Sequence, residues 1–360
     1  MHVNVKSGAV VGSELDHMKD RRVVQRTFDV YGYRFSVRAA DPELIEGITE
    51  DFEFFAAEDP VSPGVVIELV EDRPPVDDLP SLDARVYTPR NVMYRSEHFR
   101  YVDYHGRALG IRDERNGNFT IYSLDRELLY EAAYLYALAE VGRRLDQSKL
   151  HRIHALGVVI NNRAVLVLLP MGGGKSTLAL ELMKHPEVRL LSDDSPYLRR
   201  DGRVLAYPLR LGLLPGSEQS IPVEHRRTIN RMEFGPKHLV NYSYLRDRVQ
   251  ASADPGVVFL GSRMLGAGCR IEAASRKDAL RACVANCVIG VGLFQGLEFI
   301  LQSSGWELIA KTRVGLSRLR NCAALVRRSS VCRIHLGSDP QQNGRALLDY
   351  CLTLSSSKPQ

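Results

Sequence analysis

No apolar run in this sequence approaches the roughly 18–20 residues that a membrane-spanning helix needs. The opening residues Met1-His2-Val3-Asn4-Val5-Lys6 also lack the apolar centre of a secretory signal. Those two absences predict a cytoplasmic protein with no membrane partner. Cysteine is missing from the whole first half. All six cysteines lie at or beyond Cys269, with no C-x-x-C pair, which excludes a finger-type zinc site and predicts reduced thiols. Cys283 and Cys287 stand four apart, a spacing that predicts one buried helix face rather than a metal site. Charge of one sign is scarce too: the net value is only +5. The basic cluster Lys19-Asp20-Arg21-Arg22 with Arg26 reads as a solvated face, and no nucleic-acid module is present. There is no internal repeat and no low-complexity tract.

What remains is the composition of ordinary globular domains, with 44% hydrophobic and 25% charged residues in a chain of 360. That length predicts two domains. Residues 1–25 are expected to form a flexible arm, 26–148 a smaller α+β domain and 149–355 a second α/β domain. In the first domain, Phe28, Val30, Tyr33, Phe35 and Val37 alternate around Gly32 as two strands, and Asp41-Pro42-Glu43 starts a helix to about Phe55. Val65–Val70 reads as a strand and 72–80 as a Pro-rich loop. Ala84–Leu124 reads as an antiparallel meander with turns at His105-Gly106 and Asn116-Gly117-Asn118. Asp125 is placed to cap an apolar-faced helix over Arg126–Leu145.

The second domain is expected to open with a strand over His151–Ile160, a turn at Asn161-Asn162 and a strand over Arg163–Leu169. Asp201-Gly202 marks a second hairpin within Tyr197–Tyr207. The stretch 217–254 reads as irregular. Val257–Leu260 then reads as a buried strand, 276–320 as helical, Val331–Gly337 as a strand and Pro340–Leu352 as a helix.

The chemistry concentrates at Leu169-Pro170-Met171-Gly172-Gly173-Gly174-Lys175-Ser176-Thr177, between a strand and a helix. Gly172, Gly173 and Gly174 let the backbone approach anionic oxygens, and a helix N-terminus favours negative charge. Lys175 can reach the β/γ-phosphates of a nucleotide. Ser176, or alternatively Thr177, can offer its hydroxyl to Mg²⁺, so the expected ligands are ATP and Mg²⁺. The pattern G-x-x-x-x-G-K-S/T asks for glycine where Leu169 stands. A short apolar strand, 187–192, then ends in Asp193 and Asp194, where such a fold carries its acidic metal-side group.

The run of His154, the Gly-rich loop with Lys175-Ser176-Thr177, Leu-Leu-Ser-Asp-Asp and Arg210-Leu211-Gly212 resembles the HPr kinase/phosphorylase family and its related serine kinases. The resemblance covers about 151–215 well. It implies a P-loop kinase domain related to phosphoenolpyruvate carboxykinase, Mg²⁺-dependent transfer of the γ-phosphate to a serine hydroxyl, and a homo-oligomer. It also implies roles: Asp193 as base and Asp194 on the metal side, with the reverse left open, His154 beside the site, and Arg210 neutralising the moving phosphoryl group. Lys237 and Arg263, basic residues beside glycine in expected loops, are further candidates of that kind. Two departures, Leu169-Pro170-Met171-Gly172 in the loop and Pro208–Gly212 in place of the family's Arg-Gly segment, point away from HPr as acceptor. They leave a small protein, a peptide or a free hydroxyl metabolite. A nucleotide hydrolase or switch, and a non-catalytic nucleotide-binding module, are the competing readings.

Overall fold

The computed structural model describes residues 23–58, 64–213, 221–231, 235–288 and 305–356. The expected arm lies, up to residue 22, outside the described residues. The fold is mixed α/β, with three sheets and seven helices among the described residues. None of those helices is long and apolar enough to cross a membrane. Contacts divide the chain into two compact units, Met1–Leu138 with Asn230–Gly235, and Ala139–Ile229 with Pro236–Gln360.

The first unit is built on an eight-stranded sheet. β1 (Val24–Val30) and β2 (Tyr33–Ala39) form a hairpin whose two turn residues, Tyr31 and Gly32, have φ of 53° and 88°. Both are left-handed, as a right-twisted two-residue hairpin requires. Helix α1 (Glu43–Phe52) begins where the Asp41 carboxylate accepts the Glu43 N–H at 3.0 Å. It carries the chain to β3 (Val65–Val70), which runs parallel to β2. The meander β4 (Ala84–Tyr87), β5 (Val92–Arg95), β6 (Phe99–Asp103), β7 (Leu109–Asp113) and β8 (Phe119–Tyr122) returns antiparallel strand by strand and sets β8 beside β3. Rings fill this core. Phe28, Phe35 and Phe52 meet with centroids 5.2–5.7 Å apart, and Gly110 leaves room for the Phe119 ring, which would lie 2.4 Å from a Cβ there. Helix α2 (Arg126–Gln147) starts at the Asp125 cap, whose carboxylate accepts the Leu128 N–H at 3.1 Å.

The second unit opens with β9 (His151–Arg152), β10 (Leu156–Ile160) and β11 (Arg163–Leu168), followed by α3 (Lys175–Leu182) and β12 (Arg189–Ser192). A hairpin of β13 (Tyr197–Leu198) and β14 (Val204–Leu205) leads to β15 (Leu211–Leu213). Next come β16 (Arg226–Arg231) and β17 (Gly235–Val240), whose residues from Asn230 to Gly235 count with the first unit, a single helical turn α4 (Tyr242–Leu245) and the long β18 (Ser252–Arg263). β19 (Arg270–Ala273), α5 (Arg276–Cys283), α6 (Gly305–Arg328), β20 (Ser330–Leu336) and α7 (Pro340–Ser356) complete it. β11, β18 and β20 run parallel at the centre of a nine-stranded sheet. Val165, Val167, Val257, Phe259, Ile334 and Leu336 on these strands share one core with Leu178 and Leu182 of α3 and Leu347 of α7. Alternate strand residues therefore face the helices, as the two-residue strand period dictates.

Four expectations change. The expected strand 151–160 is broken at Ile153–Ala155, because its first two residues pair with β13 and its last five with β11 and β12. Its nearly unbroken burial hid the break. The stretch 217–254 is not irregular: it holds β16, β17, α4 and the start of β18. Long cationic side chains at Arg226, Arg227, Arg231 and Lys237 mask the alternation there. Lys237 and Arg263 accordingly sit on strands, Lys237 within β17 and Arg263 as the last residue of β18, rather than in loops. Finally, the helical run after Arg276 is α5 and a π-helical turn at Val284–Val288, then α6 from Gly305; the residues between lie outside the described ones.

Candidate functional site

The break between β9 and β10 positions the first site residue. The N–H groups of Ile153 and Ala155 bond the carbonyls of Pro196 and Asp194 at 3.0 Å each, and the His154 N–H bonds the Asn286 carbonyl at 3.2 Å. His154, 4% exposed, is thereby fastened to the segment that carries the two aspartates. Its Nδ1 lies 3.1 Å from the Asp194 carboxylate. Its Nε2 lies 2.8 Å from the Lys175 ammonium. The ammonium can only donate, so Nε2 accepts from Lys175, while Nδ1 approaches Asp194 without hydrogen-bond geometry.

The Gly-rich loop joins β11 to α3. Gly172 and Gly174 have φ of 73° and 100°, values that glycine reaches without a Cβ penalty. The first helical bond runs from the Leu178 N–H to the Gly174 carbonyl at 2.9 Å, which leaves the N–H groups of Lys175, Ser176 and Thr177 without a helical acceptor. No side chain caps this end and no acidic residue occupies the first turn. Lys175 is buried and curls back into the loop, its Nζ donating to the Leu169 and Pro170 carbonyls at 2.9 and 3.3 Å. Burial pulls its proton affinity below the usual lysine value, against the charges of Asp194 and Asp193.

Leu169 explains how the loop tolerates its departure from glycine. The side chain belongs to the core and lies across Gly261, 2.6 Å from where a Cβ would stand. Only the Leu169 carbonyl faces the loop, and any residue supplies that group.

Asp193 and Asp194 follow β12 at a turn where the N–H groups of Asp194 and Ser195 approach the Ser192 hydroxyl at 3.4 and 3.0 Å. Two adjacent residues that would point to opposite faces of a strand here reach the same side. The Ser176 hydroxyl donates to Asp193 at 3.1 Å. Burial and the neighbouring Asp194 charge push Asp193 up to about 6, opposed by Lys237, the Ser176 hydroxyl and the Gly212 N–H. Asp194 is half exposed. Desolvation works against its charge, but the His154 contact and the charges of Lys175 and Lys237 outweigh it and hold the carboxyl below its usual range.

Lys237 crosses the diagonal from β17 to lie over Gly212 of β15, with its Cε 2.5 Å and its Nζ 2.9 Å from a Cβ built at that glycine. The Arg263 guanidinium lies 3.6 Å from the Cβ position of Gly174 and is exposed. Arg210 is half-buried two residues before Gly212. The fold thus joins His154, Lys175, Ser176, Asp193, Asp194 and Lys237, with Arg263 over the loop. Gly212, the end of the Arg-Leu-Gly run, admits the Lys237 stem because it has no side chain. No cluster of three or more His, Cys, Asp or Glu residues able to hold a metal exists among the described residues. The six cysteines are all free.

No family model matches the chain, and no curated protein matches it. Among solved structures it is similar to the Hpr(Ser) kinase/phosphatase from Coxiella burnetii, at 13% identity, covering 57% of this chain and 99% of that chain, with a TM-score of 0.28. A superposition that loose carries no argument about activity.

Proposed function

We propose that the chain is an ATP- and Mg²⁺-dependent phosphotransferase that moves the γ-phosphate to a hydroxyl of a small protein, a peptide or a metabolite. One observation carries this reading. A glycine loop with free helical N–H groups, a buried lysine and a serine hydroxyl meets two aspartates in different electrostatic states at one point. A binding module needs only the loop; a transferase also needs a proton acceptor.

The residues divide the work. The N–H groups at the start of α3 and the glycines cradle phosphate oxygens, and Lys175 exchanges its carbonyl contacts for the β/γ-phosphates. Ser176 and Asp194 would supply oxygen donors of the kind Mg²⁺ takes. Bound there, Mg²⁺ neutralises charge on the phosphates. Asp193, enclosed and readier than an ordinary carboxylate to take a proton, receives the acceptor hydroxyl's hydrogen. The acceptor oxygen forms its bond to the γ-phosphorus as the bond to the bridging oxygen breaks, and the nucleoside diphosphate leaves with the electron pair. His154 holds Asp194 ionised on one side and Lys175 on the other.

Incubation with γ-labelled ATP and Mg²⁺, with and without a lysate of the source organism, tests this. Wild type is expected to label a discrete protein, peptide or metabolite, and Lys175→Ala and Asp193→Asn to lose that label. Nucleotide binding without transfer, unaffected by Asp193→Asn, would reduce the chain to a binding module. Phosphate release without an acceptor would make it a hydrolase.

A further inference from the structure

We infer that Lys237 is a second cation for the transferring phosphoryl group, facing the carboxylate pair from the side opposite in role to Lys175. The inference rests on reading the site as a phosphotransferase and adds a residue to it. Three observations support it. The Lys237 ammonium forms no ion pair or side-chain hydrogen bond among the described residues, yet its charge acts on both Asp193 and Asp194. Gly212 makes the arrangement sterically feasible, since a Cβ there would sit 2.5 Å from the Lys237 Cε and displace it. The strand that carries this glycine packs against α3, the helix whose Ser176 hydroxyl holds Asp193.

Register explains why the lysine cannot lie elsewhere. Gly212 pairs with Leu239, and Lys237 lies two residues from Leu239, on the same face of the ribbon. Its stem therefore runs over the one position in β15 that has no side chain. The surface it reaches holds the proton acceptor, where charge builds on the equatorial oxygens of a phosphoryl group in flight. A cation fixed at that point acts on the transition state more than on bound nucleotide.

The test separates these states without knowing the acceptor. Binding of Mg²⁺-ADP is measured by calorimetry with and without aluminium fluoride, a mimic of the planar phosphoryl group. Wild type is expected to hold Mg²⁺-ADP roughly a hundredfold more tightly when aluminium fluoride is present. Lys237→Ala should lose most of that gain while keeping its affinity for Mg²⁺-ADP alone. Gly212→Ala should lose it too, and the double variant Gly212→Ala/Lys237→Ala should be no worse than Lys237→Ala, because the displaced side chain is gone. Circular dichroism checks that each variant folds. A full gain in Lys237→Ala, an equal loss of affinity for Mg²⁺-ADP alone, or additive losses in the double variant would overturn the inference. Wild type that binds Mg²⁺-ADP with no gain from aluminium fluoride would overturn it and leave nucleotide binding standing; wild type that binds no Mg²⁺-ADP would overturn the phosphotransferase reading itself.

Discussion

Two buried histidines three residues apart in the second unit meet two aspartates in opposite ways. His151 is fully buried, with Nδ1 2.7 Å from Asp146 and Nε2 2.8 Å from the Ser317 hydroxyl. Arg318 closes the ring by donating to Asp146 at 2.6 Å and to the Cys287 carbonyl at 3.2 Å. Both ring nitrogens of His151 and both carboxylate oxygens of Asp146 are bonded within the protein. His154 also stands between an aspartate and a donor, but its aspartate is half exposed and its lysine holds only loop carbonyls besides. The same residue types give a closed brace where every partner is internal and a half-exposed carboxylate where one is not.

The sharpest way to break this comparison is to remove one partner from each network. Lys175→Ala is expected to cut phosphoryl transfer by a factor of about 10³, with the urea midpoint nearly unchanged. A large loss of stability instead would make the open network a brace too. Asp146→Asn should leave the chemistry alone and cost about 3 kcal/mol of stability at neutral pH, since it breaks a buried ionic cluster. Burial favours the neutral acid there, but His151 and Arg318 outweigh it and hold the carboxyl below its ordinary range. The stabilisation is therefore complete above the unfolded carboxyl value, near 3.9, and fades as pH falls through the lower folded one. Urea midpoints across pH should show wild type and Asp146→Asn converging on the acid side. His154→Gln, which keeps a neutral polar group, is expected to slow transfer about tenfold and shift the thermal midpoint very little; equal effects from His151→Gln on rate would erase the distinction.

Local chemistry made much of this legible. The turns at Gly32, Gly106, Asn161-Asn162 and Gly202 all adopt left-handed backbone, and each was readable from the turn residues themselves. The loop, Lys175, Ser176 and the aspartate pair were readable from order along the chain. What was hidden depends on distant partners. The break at Ile153–Ala155 follows from pairing with 194–196, and nothing local in an apolar run announces it. Lys237 gained its place from the register of β15 and β17, inside a stretch whose cationic side chains conceal a strand. Leu169 looked like a defect in a motif and proved to be a core residue whose carbonyl does the loop's work.

The clip at Ile153–Ala155 also decides which half of the open network can move. His154 and Asp194 ride on two segments tied by paired backbone bonds, so their separation is a fixed length, like the jaw of a vice. Lys175 approaches from a different element and is held by two carbonyls and one ring nitrogen. An arriving anion can draw the lysine away without disturbing the jaw. On the proposed reading the lysine would give up its two carbonyls and keep the imidazole, so ligand entry would be registered as a new reach of Lys175 rather than a change in the jaw.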